Sequence, residues 1–338
     1  MTVKVARAGL LTTVQDLGRT GLQHLGIVPC GAMDQVAHRM ANALVGNPAT
    51  AATLECTVIG PELVFGQTCL VALYGATFEA KIAGEPFPKN RPVLVNAGSV
   101  LTTGKAVRGA RAYLAVAGGF NVPMALGSRS TYLPAGFGGF LGRALKAGDE
   151  IPCSDDLSKL SEMRFKRIVR TGVLARVAFQ SVRWSAGELT LPYEGSLAVR
   201  ALEGRHHAQF DSASQEAFFG EAWRVSSDSN RMGYRLMGPR LARSKAVEIL
   251  SEPTCLGTVQ VPNDGTPIAL MADHQTTGGY PKIAEIAGAD IPTLAQLAPG
   301  GTVRFVKCTL EEADAARRAA QARFRTIHQA VAWELKTT

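Results

Sequence analysis

A short frame occurs twice in this chain, 212 positions apart. Asp16-x-Gly18-Arg19-x-Gly21, with Gly26 behind it, matches Asp228-x-Asn230-Arg231-x-Gly233, with Gly238 behind it. Asn can replace Gly at 230 because it tolerates a left-handed φ better than most residues. Turn-to-strand signals recur too, at Ala97-Gly98-Ser99-Val100, Ala147-Gly148-Asp149-Glu150-Ile151 and Pro299-Gly300-Gly301-Thr302-Val303. This pattern predicts a duplicated β lobe, which 338 residues can accommodate. Thirty-five glycines and 17 prolines against 7% aromatic residues also favour short strands and turns over long helices.

The expected layout is a first β lobe over residues 1–153, a charge-rich connector over 154–170, a second β lobe over 171–308 and a C-terminal helix over 309–338. Apolar runs at Leu63–Phe65, Leu70–Leu73, Val93–Val95 and Tyr113–Val116 read as strands of the first lobe. Val173–Phe179 and Leu197–Ala201 read as strands of the second. Three helices are expected. Asp34 caps one over residues 33–45, which Gly46-Asn47-Pro48 stops. Ser212 and Gln215 form a capping box for another, and Thr309 and Glu312 for the last. Ala313, Ala316, Ala320, Phe324, Ile327, Val331 and Leu335 would draw one apolar stripe along that last helix, suited to the core or to a contact between subunits.

The net charge is +8, but the basic residues are scattered. The densest group is Arg164, Lys166, Arg167 and Arg170, and no basic run alternates with aromatics, so nucleic-acid binding is not expected. The six cysteines form no Cys-x-x-Cys pair, no histidines have ligand spacing, and no metal site is expected. Without an apolar h-region or a membrane-length apolar run, the chain reads as cytoplasmic.

The chemistry concentrates at Met271–Lys282. The apolar run Pro267–Met271 delivers the chain, as a short strand, to Asp273, His274, Gln275, Thr276, Thr277, Gly278, Gly279 and Tyr280. Threonine hydroxyls and glycine backbone amides can cradle an oxyanion or phosphate, with the glycines free to take positive φ. Arg19 and Arg231 offer forks for a carboxylate or phosphate. Asp273 or Asp16 could act as base or orient an amide N–H. A site shared by the two lobes would gather these with Gln15 and Asn230. Gly118-Gly119 and Gly127-Ser128-Arg129-Ser130-Thr131 offer a second phosphate-sized cradle around Arg129 and Ser130, although no P-loop or dinucleotide fingerprint is present. The set suits a small anionic or amide substrate, and both arginines could equally be structural.

The same residues carry a family resemblance. In order along the chain come Gly9-Leu10-Leu11-Thr12-Thr13-Val14-Gln15-Asp16-Leu17-Gly18-Arg19, Gly31-Ala32-Met33-Asp34, Leu54-Glu55, Tyr113-Leu114-Ala115-Val116-Ala117-Gly118-Gly119, Ser229-Asn230-Arg231-Met232-Gly233-Tyr234 and Asp273-x-Gln275-Thr276-Thr277-Gly278-Gly279-Tyr280-Pro281. Over about residues 3–315 the chain resembles the biotin-dependent carboxyltransferase / allophanate hydrolase subunit 2 family. That family includes the C subunit of ATP-dependent 5-oxoprolinase, KipA-type proteins and the carboxyltransferase domain of urea carboxylase. The resemblance implies two related cyclophilin-like β-barrel lobes. It also implies a KipI-like (allophanate hydrolase subunit 1) partner and, for a 5-oxoprolinase, a LamB/YcsF-type subunit.

Neither a biotin carboxylase nor a biotinyl carrier fits in 338 residues, so no biotin is expected on this chain. The resemblance then implies a subunit that opens 5-oxo-L-proline to glutamate with ATP, inactive without its partners. Arg19 and Arg231 would be anion clamps and Thr276–Gly279 the cradle. The alternatives are a carboxyltransferase subunit for urea or a related amide using carboxybiotin, and a KipA-type regulator of a KipI-like partner. One departure from the family pattern is His274, where many relatives carry Arg; it leaves the substrate open.

Overall fold

The computed structural model describes residues 1–169, 177–189, 197–244 and 249–337. They fall into two compact units. The first contains Met1–Arg19, Asp34–Leu191 and Arg323–Thr338; the second contains Thr20–Met33 and Pro192–Ala322. Residues 20–33 therefore belong with the later half of the chain, and the end of the C-terminal helix belongs with the first unit.

The first unit is built on two six-stranded sheets. One runs Glu150–Pro152, Thr2–Arg7, Glu62–Phe65, Val100–Thr102, Lys81–Ile82 and Glu85–Pro86; the other runs Phe179–Ser181, Val93–Val95, Cys69–Phe78, Ala106–Val116, Thr53–Thr57 and Leu11–Gln15. The four apolar runs expected here all lie in these strands. Residues 173–176 of the expected strand Val173–Phe179 lie outside the described residues; of 177–179 only Phe179 is in a strand, and it pairs with Val95 in this unit and not in the second lobe. Val3, Val14, Leu54, Leu63, Leu73, Val93, Leu114 and their neighbours fill one core.

Helix α1 (Gln35–Val45) packs on the second sheet. Asp34 Oδ1 accepts the Ala37 N–H (2.9 Å), and Gly46 ends the helix at φ 81°. The expected connector contains a helix, α2 (Lys159–Val169). Sequence patterning misses α2 because polar contacts hold it. Ser158 Oγ accepts the Ser161 N–H and donates to the Gly46 carbonyl (2.7 Å), while Ser161 Oγ donates to that of Val45 (2.6 Å).

The second unit is a closed barrel with strand order Leu197–Glu203, Lys282–Ile286, Thr258–Gln260, Ile268–Leu270, Gly233–Met237, Ala222–Val225 and Thr302–Lys307. Parallel pairing of the first and last, Leu197 opposite Val303, closes it and leaves no free edge. Trp223, Val259, Ile283, Phe305 and Phe218 fill the interior, with Phe218 stacked on Phe305 at 4.7 Å. Phe218 belongs to α3 (Ser212–Gly220), whose cap is Asp211, accepting the Ser214 N–H at 2.8 Å, rather than Ser212. Gln215 is turned back to the carbonyls of His207 and Phe210, so the expected box does not form.

After the short helix α4 (Ile291–Leu294) comes α5 (Leu310–Thr337), which opens on the expected reciprocal box: Thr309 N–H to Glu312 Oε2 (2.8 Å) and Glu312 N–H to Thr309 Oγ1 (3.2 Å). Of its apolar stripe only Val331 and Leu335 are buried; Ala320 is exposed. Among the described residues no helix is long and apolar enough to cross a membrane.

The repeated frame shares a buried arginine in each copy and not the backbone path. Gly18, Gly21 and Gly26 all have positive φ, whereas Asn230, Gly233 and Gly238 do not. Asn230 instead uses its side chain, Oδ1 accepting the Met232 N–H at 2.8 Å. Gly238 is required by proximity, because a Cβ there would lie 2.7 Å from the Trp223 ring.

Candidate functional site

In the second unit, the strand Ile268–Leu270 runs into Asp273 as the sequence predicts. Arg231 lies on the adjoining turn. The Asp273 N–H donates to the Arg231 carbonyl (2.8 Å) and the Met271 N–H to that of Met232 (3.0 Å), so the two turns continue the strand pairing. The side chains then close on each other. Arg231 Nε donates to Asp273 Oδ2 and Nη2 to Oδ1, each at 2.9 Å, and Nη2 also donates to the Gly31 carbonyl at 2.6 Å. Arg231 is 4% exposed and Asp273 1%. A bidentate pair at this depth fixes the guanidinium plane. It also places both Asp273 oxygens, expected to serve as a base, in hydrogen bonds to Arg231.

The loop beyond Asp273 grades from buried to exposed. His274 is 3% exposed, and its Nδ1 lies 2.7 Å from the Gln275 carbonyl and 3.3 Å from Thr254 Oγ1. Burial lowers its pKa, which keeps the ring neutral at pH 7. Gln275 Nε2 donates to Gln260 Oε1 (3.0 Å). Thr277–Gly278 forms a two-stranded ribbon with Glu252–Pro253. Neither Gly278 nor Gly279 has positive φ. Gly278 is small for another reason: a Cβ there would approach Gln260 Nε2 at 2.8 Å. Thr277, Gly279 and Tyr280 are exposed, forming a polar rim with half-buried Thr276.

In the first unit, Asp16 is the centre of a knot. Its Oδ1 accepts the Gly18 N–H (2.8 Å) and the hydroxyls of Ser128 and Ser130 (both 2.6 Å), while Oδ2 accepts the Arg129 N–H (2.6 Å). Of the Gly127–Thr131 donors, the Ser128 and Ser130 hydroxyls and the Arg129 N–H are thus taken by the chain's own carboxylate. Arg19, 2% exposed, donates from Nη2 to the Ser130 carbonyl (2.7 Å) and lies 4.8 Å over the Phe137 ring. Its Nη1 and the Oε1 of buried Gln15 have no hydrogen-bond partner among the described residues. Buried polar atoms are nearly always satisfied, so an unused donor and an unused acceptor close together in the chain are uncommon.

The structure also holds buried groups that periodicity did not single out. Glu55 accepts the Tyr113 hydroxyl at 2.7 Å, and that oxygen accepts the Asp34 N–H at 2.8 Å. A Glu inside the wholly buried strand Thr53–Thr57 was the available signal. In the second unit Lys282, 6% exposed, pairs with Glu252 at 2.9 Å. Burial raises the Glu285 carboxyl, which accepts the Thr258 hydroxyl at 2.8 Å. Thr258 and Glu285 face each other across paired strands, a register the sequence does not display. Among the described residues no three His, Cys, Asp or Glu side chains converge as a metal site requires.

A closed β-barrel unit, a two-sheet unit and a C-terminal helix, with one buried arginine per loop copy, define a class that comparison with known proteins specifies. The family described as carboxyltransferase domain, subdomain A and B, matches residues 25–307, and this chain belongs to it. It is 42% identical to the 5-oxoprolinase C subunit of Escherichia coli over 333 residues, 98% of both chains. It is 38% identical to the 5-oxoprolinase C subunit of Haemophilus influenzae, over 90% of this chain and 91% of that one. The crystal structure of Kluyveromyces lactis urea carboxylase superposes with a TM-score of 0.84 at 29% identity, covering 96% of this chain and 29% of that one.

Proposed function

We propose that the chain is the C subunit of an ATP-dependent 5-oxoprolinase, which opens the lactam of 5-oxo-L-proline to L-glutamate. The observation that carries this reading is the end-to-end likeness to the 5-oxoprolinase C subunit, at 42% identity over 98% of both chains. The substrate is an amide with a carboxylate, and each unit, taken by itself, offers polar groups suited to part of it. Gln15 Oε1 is an unused acceptor for an N–H, and Arg19 Nη1 an unused donor for a carbonyl. In the second unit Asp273 holds the Arg231 guanidinium in plane beside the loop, and Thr276–Tyr280 supplies hydroxyl and backbone donors at the rim.

ATP is assigned to the assembled complex, because the glycine-rich loop of this chain is filled by Asp16. A KipI-like (allophanate hydrolase subunit 1) protein and a LamB/YcsF-type subunit are the proposed partners, and the isolated chain is inactive. The test is ATP-coupled glutamate release by the reconstituted subunits. Asp273→Asn should lower it by about tenfold or more through loss of Arg231 positioning; full turnover by that variant would remove the pair from the mechanism.

A second reading, a carboxyltransferase subunit for urea or a related amide, draws on the superposition with urea carboxylase. It requires carboxybiotin made on another protein, so inhibition of the activity by avidin would favour it.

A further inference from the structure

The first unit contains a cavity of about 340 Å³, separate from the Arg231–Asp273 pair and its loop. It sits at the small end of the range that small-molecule sites occupy, about 300–1,000 Å³. Asn47, Gly118, Asn121, Arg129, Asp156 and Ser158 are among the residues that line it. Its wall is built by Asn47, whose Nδ2 donates to Asn42 Oδ1 (3.0 Å) and the Val116 carbonyl (2.8 Å) while its Oδ1 accepts the Gly118 N–H (2.8 Å). Three bonds on one side chain make that wall rigid.

Arg129 is held from behind. Its backbone N–H is bound by Asp16, and its Nε donates to the Val122 carbonyl at 3.0 Å. Its two Nη groups make no hydrogen bond or ion pair among the described residues, although the residue is half-buried. Ser154 and Asp156–Ser158 also line the cavity and lead into α2, whose N-terminal end adds positive potential. Asp156 sets a carboxylate in the same cavity. One open guanidinium and one open carboxylate in a polar cavity of this volume are the complement of a small molecule with both an anionic oxygen pair and an N–H donor.

We propose that this cavity binds a small amino acid or its lactam, with Arg129 on the ligand carboxylate and Asp156 on its ammonium or amide N–H. The ligand class meets the functional reading at 5-oxoproline, the substrate, and glutamate, the product; the assignment of the cavity rests on its own lining. The probes are 5-oxo-L-proline, L-glutamate, 2-pyrrolidone (no carboxylate) and acetate (no N–H), titrated calorimetrically into the full chain.

At least one of the two acids should bind, and 2-pyrrolidone should bind at least about tenfold more weakly. Arg129→Met should weaken the acids by a similar factor, with Arg129→Lys recovering part. Asp156→Asn should weaken them while acetate binds equally or more tightly. Absence of binding by both acids, or affinities that Arg129→Met leaves unchanged, would overturn the proposal. Should Arg129→Met not fold, the wild-type comparison decides, since equal affinity for 5-oxoproline and 2-pyrrolidone overturns it. The two readings fail separately. Acid binding here without turnover by the reconstituted complex defeats only the enzyme assignment. Turnover without acid binding defeats only this site.

Discussion

Arg231 and Asp273 behave as one group, and the energetics of buried pairs say how. Removing one partner leaves the other charged, desolvated and unpaired, which costs about 3–5 kcal/mol. Asp273→Asn should therefore lower the stability measured by urea denaturation by about that amount. The double variant Arg231→Leu with Asp273→Leu should recover most of the loss, because two apolar side chains remove both desolvation penalties. A double variant less stable than Asp273→Asn would show that the pair itself stabilises the fold.

His38 gives a pH signature at the same scale. Burial is the main cause lowering its pKa from 6.5 to about 4, and the neutral ring is bonded to Thr53 Oγ1 (2.9 Å) and the Ala49 carbonyl (3.0 Å). The unfolded chain then binds a proton between these values that the folded chain refuses, so stability is full above 6.5 and falls as pH drops toward 4. The shift amounts to about 3 kcal/mol across the window. Denaturation at pH 7.5 and pH 4.5 should reveal that loss, and His38→Gln should flatten it; an equal slope in both proteins would contradict this assignment.

Elements whose boundaries are set by neighbouring residues were the ones legible in the sequence. The Thr309–Glu312 box and the Asp34 cap lie within three residues of their partners, and both form. Helix α2 was missed because Ser158 and Ser161 bond to carbonyls more than a hundred positions away, leaving no apolar period to read. The stripe on α5 was legible as a pattern, but its burial is uneven. Leu335 is 1% exposed while Ala320 lies on the surface, as does Trp333 off the stripe, 66% exposed. Leu335→Ala should cost about 2–4 kcal/mol by cavity formation, while Trp333→Ala should stay within about 0.5 kcal/mol. Thermal unfolding of the two variants checks this, and equal losses would contradict the burial asymmetry.

At the scale of the molecule, the mainly β architecture followed from glycine, proline and short apolar runs, because each strand is local. Barrel closure was expected from the family resemblance and not from the residue pattern, since it depends on Leu197 meeting Val303. The candidate site divides in the same way. The residue types at 273–280 were evident, but the bidentate lock on Arg231 needs two turns 42 residues apart, and the Asp16 knot needs loops more than a hundred residues apart. In both, a carboxylate places its two oxygens on groups of this chain that are distant in sequence. Service of this family member in an ATP-dependent 5-oxoprolinase is tested most directly by mixing the purified chain with the proposed partners, a KipI-like and a LamB/YcsF-type protein, and measuring glutamate from 5-oxo-L-proline. The expected result is glutamate release that requires ATP and all three chains and is indifferent to avidin. Release that proceeds unchanged when this chain is omitted would contradict it.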